Sequence, residues 1–187
     1  DGYLFLAPDD DAGLLERELA AARRCGLDGV ELLPRAPLDA FDTGPCLRFA
    51  RQARLHPLKY LAGLAAAIRR GGGAVYAGTH ATTIEGGRPA RIRTEPGATV
   101  TADAVVVATN TPFNDRLVMH TKQAPYRTFV VALAVPHGSL PDQLWWDTGE
   151  PFHYVRLQPC ADEDLLLVGG EDHKTGQADD ADVRFVR

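Results

Sequence analysis

Apolar residues fall along this chain in helical, alternating and continuous patterns, and each predicts a different element. Gly2 to Ala7 (GYLFLA) is a short apolar run closed by Pro8, which predicts a strand. Asp9, Asp10 and Asp11 follow where acids cap a helix and complement its positive end. Leu14, Leu15, Leu19 and Ala22 then recur with helical spacing up to Cys25, and Gly26 stops the helix. Val30 to Leu33 predicts a short strand or turn ahead of Pro34 and Pro37. From Cys46 to His56, Leu47, Phe49 and Leu55 alternate with Arg48, Arg51 and Arg54, and the phase slips near Gln52. That pattern predicts a long, bulged strand. Pro57 opens a second helix with a buried stripe of Leu58, Leu61, Leu64, Ala65 and Ile68, closed by Gly71-Gly72-Gly73.

The pattern then changes to short strands: Ala74 to Ala77, Thr79 to Ile84, Ala90 to Thr94 and Thr99 to Thr101, separated by Gly-rich turns. Val105 to Ala108 is a continuous β-branched run leading into Thr109-Asn110-Thr111-Pro112, as expected of a strand covered on both faces. Four further strands follow, at Arg127 to Val135, Gln143 to Trp146, His153 to Gln158 and Leu165 to Gly169, joined by Gly/Pro/Asp loops. The order predicts an α+β fold: a mixed sheet, an antiparallel run at the end, and parts of two subdomains.

Composition narrows the function. The 187 residues are 45% apolar and 24% charged, enough for a packed core without disulfides or structural metal. The net charge is −5 and the basic residues are scattered, so nucleic acid is not an expected partner. No apolar run reaches the roughly 20 residues of a membrane span. Three separated cysteines, Cys25, Cys46 and Cys160, offer neither a CxxC pair nor a disulfide framework, which points to a reduced, cytoplasmic setting. The chain opens on Asp1-Gly2 and stops at Val186-Arg187, and we read both ends as cuts in a longer protein.

Chemistry is expected where small residues end a central strand, because a ligand can approach the backbone there. Ala108, Thr109 and Asn110 occupy such a place, although a plain strand and turn would look the same. The layout Leu55-His56-Pro57, helix, triple glycine, meander and Val105-Val106-Val107-Ala108-Thr109-Asn110 resembles the second half of a flavin-binding domain. Tyr126-Arg127, Trp146-Asp147-Thr148, His153-Tyr154-Val155-Arg156 and the run from Gly169 to Gln177 are similar to the glycine/D-amino-acid oxidase (DAO) superfamily of FAD-dependent oxidoreductases. The branch they resemble often carries a Rieske iron–sulfur domain.

The resemblance implies three segments: substrate-domain strand and helix over 1–55, part of the FAD-binding domain over 56–111, and an antiparallel substrate-binding domain over 112–187. It implies a full-length enzyme that oxidises a C–N bond of an amine or amino acid, with an electron acceptor that the chain does not identify. His173 and Lys174 become the candidate catalytic pair. Tyr154 and Arg156, which share one strand face, become substrate ligands with Arg48 as a secondary one, since an arginine can clamp a carboxylate bidentately. His56, Ala108, Thr109 and Asn110 become flavin contacts.

The chain departs from the pattern in one respect. No G-x-G-x-x-G follows a strand, and Gly71-Gly72-Gly73 follows a helix, so no pyrophosphate cradle is expected. This segment alone should therefore hold FAD poorly or not at all. No metal site is expected, and His80, His120 and His137 read as surface residues. Two rivals remain: a non-catalytic binding domain of the same fold, and a nicotinamide-disulfide reductase, which the isolated cysteines count against.

Overall fold

The computed structural model describes residues 1–39, 41–95, 97–110 and 123–176. The fold is α+β, with two helices, a seven-stranded mixed sheet and a separate three-stranded antiparallel sheet. The strands are β1 (Gly2–Phe5), β2 (Val30–Leu33), β3 (Cys46–Phe49), β4 (Ala81–Glu85), β5 (Ala90–Thr94), β6 (Thr99–Ala102), β7 (Tyr126–Val135), β8 (Leu144–Asp147), β9 (His153–Pro159) and β10 (Asp164–Lys174). The helices are α1 (Gly13–Arg24) and α2 (Pro57–Arg70). The chain divides into two compact units. One is Asp1–Arg54 with the chain from Pro125 onward, and the other is Leu55–Ala124.

In the first unit the large sheet runs β2-β3-β1-β8-β9-β10-β7. Only the β1–β8 pair is parallel. Directly opposed residues share a face, so the registers sort the side chains. Val30, Leu47, Leu4, Trp146, Tyr154 and Gly169 lie in rows on one face, and Leu33, Cys46, Tyr3, Trp145, Val155 and Val168 on the other. On the first face α1 presses Leu15 and Ala22 onto Leu4, Val30 and Leu47. On the second, Tyr3, Cys46 and Trp145 pack under Ala36 and Leu38 of the loop after β2. A bidentate Arg54–Asp142 pair fastens the end of the β3 segment to the loop before β8.

Several expectations hold with small shifts of boundary, and others are corrected. The strand from Cys46 ends at Phe49, where a turn puts Arg51 at φ +57°. Asp11 assists the start of α1 by accepting the Gly13 N–H at 3.0 Å, but the capping position itself is Ala12. In the second unit, residues 74–77 form no strand, and neither does the Val105 to Ala108 run, whose Val106 is 87% exposed. β-Branched residues favour strands only where neighbours pack against them, and among the described residues no strand pairs with this run. The α2 stripe forms as expected but is not buried: Leu58, Leu61, Leu64 and Ile68 are all exposed. Thr111, Pro112, His120 and the residues from Gln177 onward lie outside the described residues. No described helix is long and apolar enough to cross a membrane.

Candidate active site

Strands β9 and β10 carry most of the residues singled out in the sequence, and the pleat divides them between two faces. Tyr154 opposes Gly169 and Arg156 opposes Leu167, so both side chains lie on the α1 side of the sheet. A Cβ on Gly169 would sit 2.3 Å from the Tyr154 ring, so the missing side chain is what lets the tyrosine lie flat across β10. Arg156 is half-buried, and among the described residues none of its nitrogens has a hydrogen-bond or ion-pair partner. Its Nη1 is fully shielded. A guanidinium held out of water without an acceptor is costly unless an anion comes to it.

Lys174 opposes Tyr126 and is exposed; its neighbour His173 opposes Arg127 and points the other way. The expected catalytic pair is therefore split across the sheet. His173 stacks on Phe129 with ring centroids 4.7 Å apart, and its Nδ1 lies 2.9 Å from the backbone carbonyl of Glu171. A carbonyl can only accept, so Nδ1 carries the proton. In neutral His173 the Nε2 lone pair is then available, and among the described residues nothing engages it.

The same face holds a constellation the sequence reading passed over. His153 Nδ1 lies 2.8 Å from Asp147 Oδ2, and His153 Nε2 lies 3.1 Å from Glu171 Oε1. Asp147 Oδ1 also accepts the backbone N–H groups of His153 at 2.8 Å and Gly149 at 3.1 Å. Burial pulls the His153 pKa down, but the hydrogen bonds to Asp147 and Glu171 outweigh it, and the net shift is upward. Glu171 is brought there by a β-bulge: between Gly170 and His173 the register slips, and Glu171 takes φ +57°, a position usually filled by glycine. The sequence signal was the Gly169-Gly170-Glu171 run.

The remaining candidates lie elsewhere. Arg48 is on the His153 face, but its guanidinium is bound by Asp1 at 3.0 Å and Glu31 at 2.9 Å. His56 caps α2, its Nδ1 accepting the Lys59 N–H at 3.4 Å. Ala108, Thr109 and Asn110 are exposed in the second unit. Gly71 and Gly72 terminate α2, so the glycine run closes a helix and does not open one. The glycine run is therefore not a helix-opening pyrophosphate cradle. No group of His, Cys, Asp and Glu among them is arranged to hold a metal ion.

The first unit thus sets titratable groups of adjoining strands on a broad, mostly antiparallel sheet within an α+β fold. The family model for DAO, FAD-dependent oxidoreductases, matches residues 1–187, and the chain belongs to that family. A curated relative described as a Rieske 2Fe-2S iron–sulfur protein, YhfW of Bacillus subtilis (strain 168), is 26% identical over 178 residues. The match covers 95% of this chain and 34% of the relative, so the chain spans about a third of that protein's length. Among solved structures, a peptidyl tryptophan dihydroxylase, QhpG, essential for tryptophylquinone cofactor biogenesis, aligns with 14% identity and a TM-score of 0.37. That alignment covers 94% of this chain and 38% of that one.

Proposed function

We propose that the full-length protein oxidises a C–N bond of an amine or amino acid, and that the seven-stranded sheet is the wall on which the substrate lies. FAD, the cofactor class of the family, would take up the hydride. The residues of this chain bind and orient the substrate and move its proton. In this reading 1–55 and 112–187 belong to the substrate side, and 56–111, with Ala108, Thr109, Asn110 and His56, to the flavin side. Three cysteines without disulfide partners accord with a reduced, cytoplasmic setting.

The observation that carries the proposal is the unpartnered guanidinium of Arg156 beside Tyr154. A substrate carboxylate would supply the missing acceptors, with the Tyr154 hydroxyl as a second donor and Lys174 as a further positive charge on that face. Arg156→Ala in the full-length enzyme should raise KM for an amino acid by about ten- to a hundred-fold, the loss of a charged hydrogen bond of about 1.5–3 kcal/mol, while a neutral amine is little affected. Wild-type kinetics with every amino acid and amine tested would remove Arg156 from the site. The flavin itself is tested by the visible spectrum of the purified full-length protein; a well-folded protein without flavin absorbance would leave the non-catalytic binding domain in front.

A second reading places the reaction on the opposite face, where His173 Nε2 offers a proton acceptor for a substrate N–H. It makes the reverse prediction: His173→Asn lowers kcat by about a hundred-fold or more, and Arg156→Ala leaves KM unchanged.

A further inference from the structure

The Asp147–His153–Glu171 constellation is a built feature, as its surroundings show. Asp147 is held by three hydrogen bonds, from the Gly149 N–H in the β8–β9 turn and from the backbone N–H and ring of His153 at the start of β9. The ring of His153 occupies the space a side chain on Gly170 would need: a Cβ there would lie 2.7 Å from His153 Cδ2 and 2.7 Å from the Phe152 carbonyl. The bulge then delivers the Glu171 carboxylate to the second ring nitrogen. Both nitrogens of His153 thus face carboxylate oxygens at hydrogen-bonding distance. Ionised carboxylates only accept, and a neutral imidazole has one donor, so this arrangement requires the doubly donating imidazolium.

Glu171 links this cation to His173. Its side chain receives the His153 proton, and its own carbonyl receives the Nδ1 proton of His173. The direction of that carbonyl depends on the left-handed conformation of Glu171, which the His153 contact helps to hold. We propose that His153 is a positioning residue: held as an imidazolium between Asp147 and Glu171, it fixes the Glu171 carbonyl against His173 Nδ1 and so keeps His173 Nε2 as a proton acceptor. The groups in contact with the His153 ring are Asp147 from β8 and Glu171 from β10. By register this face also carries Arg127 from β7, His173 and Asp164 from β10, Tyr3 from β1, Cys46 and Arg48 from β3 and Glu31 from β2, with Arg48 engaged by Asp1 and Glu31. The role in catalysis rests on the reading in which His173 is the proton acceptor; the protonation and tautomer states do not.

The test is nitrogen NMR of the full-length protein with ¹⁵N-labelled histidine at neutral pH, with each ring assigned by single substitution. His153 should show two protonated nitrogens, and His173 a single Nδ1–H tautomer. In Glu171→Gly, which suits the left-handed backbone and keeps the bulge, and in Asp147→Asn, His153 should lose the doubly protonated signature. In His153→Leu, His173 should pass to a mixture of tautomers while circular dichroism is unchanged. A neutral His153 in the wild type, or a His173 tautomer that does not respond to His153→Leu in a folded variant, overturns the inference. If both signatures are as expected and His173→Asn retains full kcat, the catalytic reading fails and the positioning of His173 stands.

Discussion

Two adjacent glycines on β10 face different obstacles, and their substitutions should differ in cost. An alanine at Gly169 would meet the far end of the Tyr154 ring, which can swing away. An alanine at Gly170 would meet the Phe152 backbone carbonyl and the His153 ring, which cannot move without breaking the β9 pairing. Gly170→Ala should therefore cost about 1–3 kcal/mol, the usual range for overpacking, and Gly169→Ala less, with a change in near-ultraviolet dichroism as Tyr154 leaves the sheet. Thermal melts of the two variants read the order directly.

His153 also gives a pH dependence with a definite sign. Its pKa in the fold lies above the ordinary histidine value. The stabilisation from its two carboxylate partners is therefore complete below the unfolded value of about 6.5. It is lost as pH rises through the higher folded value. The Tm difference between wild type and His153→Leu should be largest in mild acid and shrink toward alkaline pH. A difference that grew with pH would contradict the imidazolium.

Of the two described helices, α1 is the one whose burial matches its sequence pattern. Leu15 is 2% exposed at the centre of the cluster with Leu4 and Leu47, so Leu15→Ala should cost about 2–5 kcal/mol. Denaturant titration would show it as a lower midpoint at unchanged slope. The four final strands were legible because alternation and turn residues are local signals. What lay beyond them was pairing. Nothing in the runs near Arg127 and Leu165 says that β7 reaches around to the far side of β10, or that β1 joins β8 in parallel. The bulge was hidden for a related reason. It is a difference in residue count between two strands, and one strand's sequence cannot show it. Hence Tyr154 and Arg156 were correctly placed together, while the split of His173 from Lys174 and the grouping of His153 with Glu171 emerged only from the register.

At the scale of the whole molecule, the two units differ in how far they satisfy their own apolar patterns. In the first, both sheet faces near β1 and β8 are covered, by α1 on one side and the loop after β2 on the other. In the second, Ala90 is the one buried apolar residue among those described, and α2 presents a row of exposed leucines. Exposed stripes of that size bind hydrophobic dyes. The 187-residue chain should enhance ANS fluorescence while its near-ultraviolet dichroism remains native-like. Leu58→Ser together with Leu61→Ser should reduce that signal. An unchanged signal would place the dye elsewhere.

The chain contains two tryptophans, and they are neighbours on one strand: Trp145 is 1% exposed among Tyr3, Cys46 and Ala36, whereas Trp146 packs against Phe49 on the α1 side. Replacing either with phenylalanine leaves a single fluorophore that reports on one face of the sheet only. Emission from Trp146 follows the release of α1, and emission from Trp145 follows the loop over the other face. Two optical channels 1 residue apart can thus show whether the two layers of the core come apart together or in sequence.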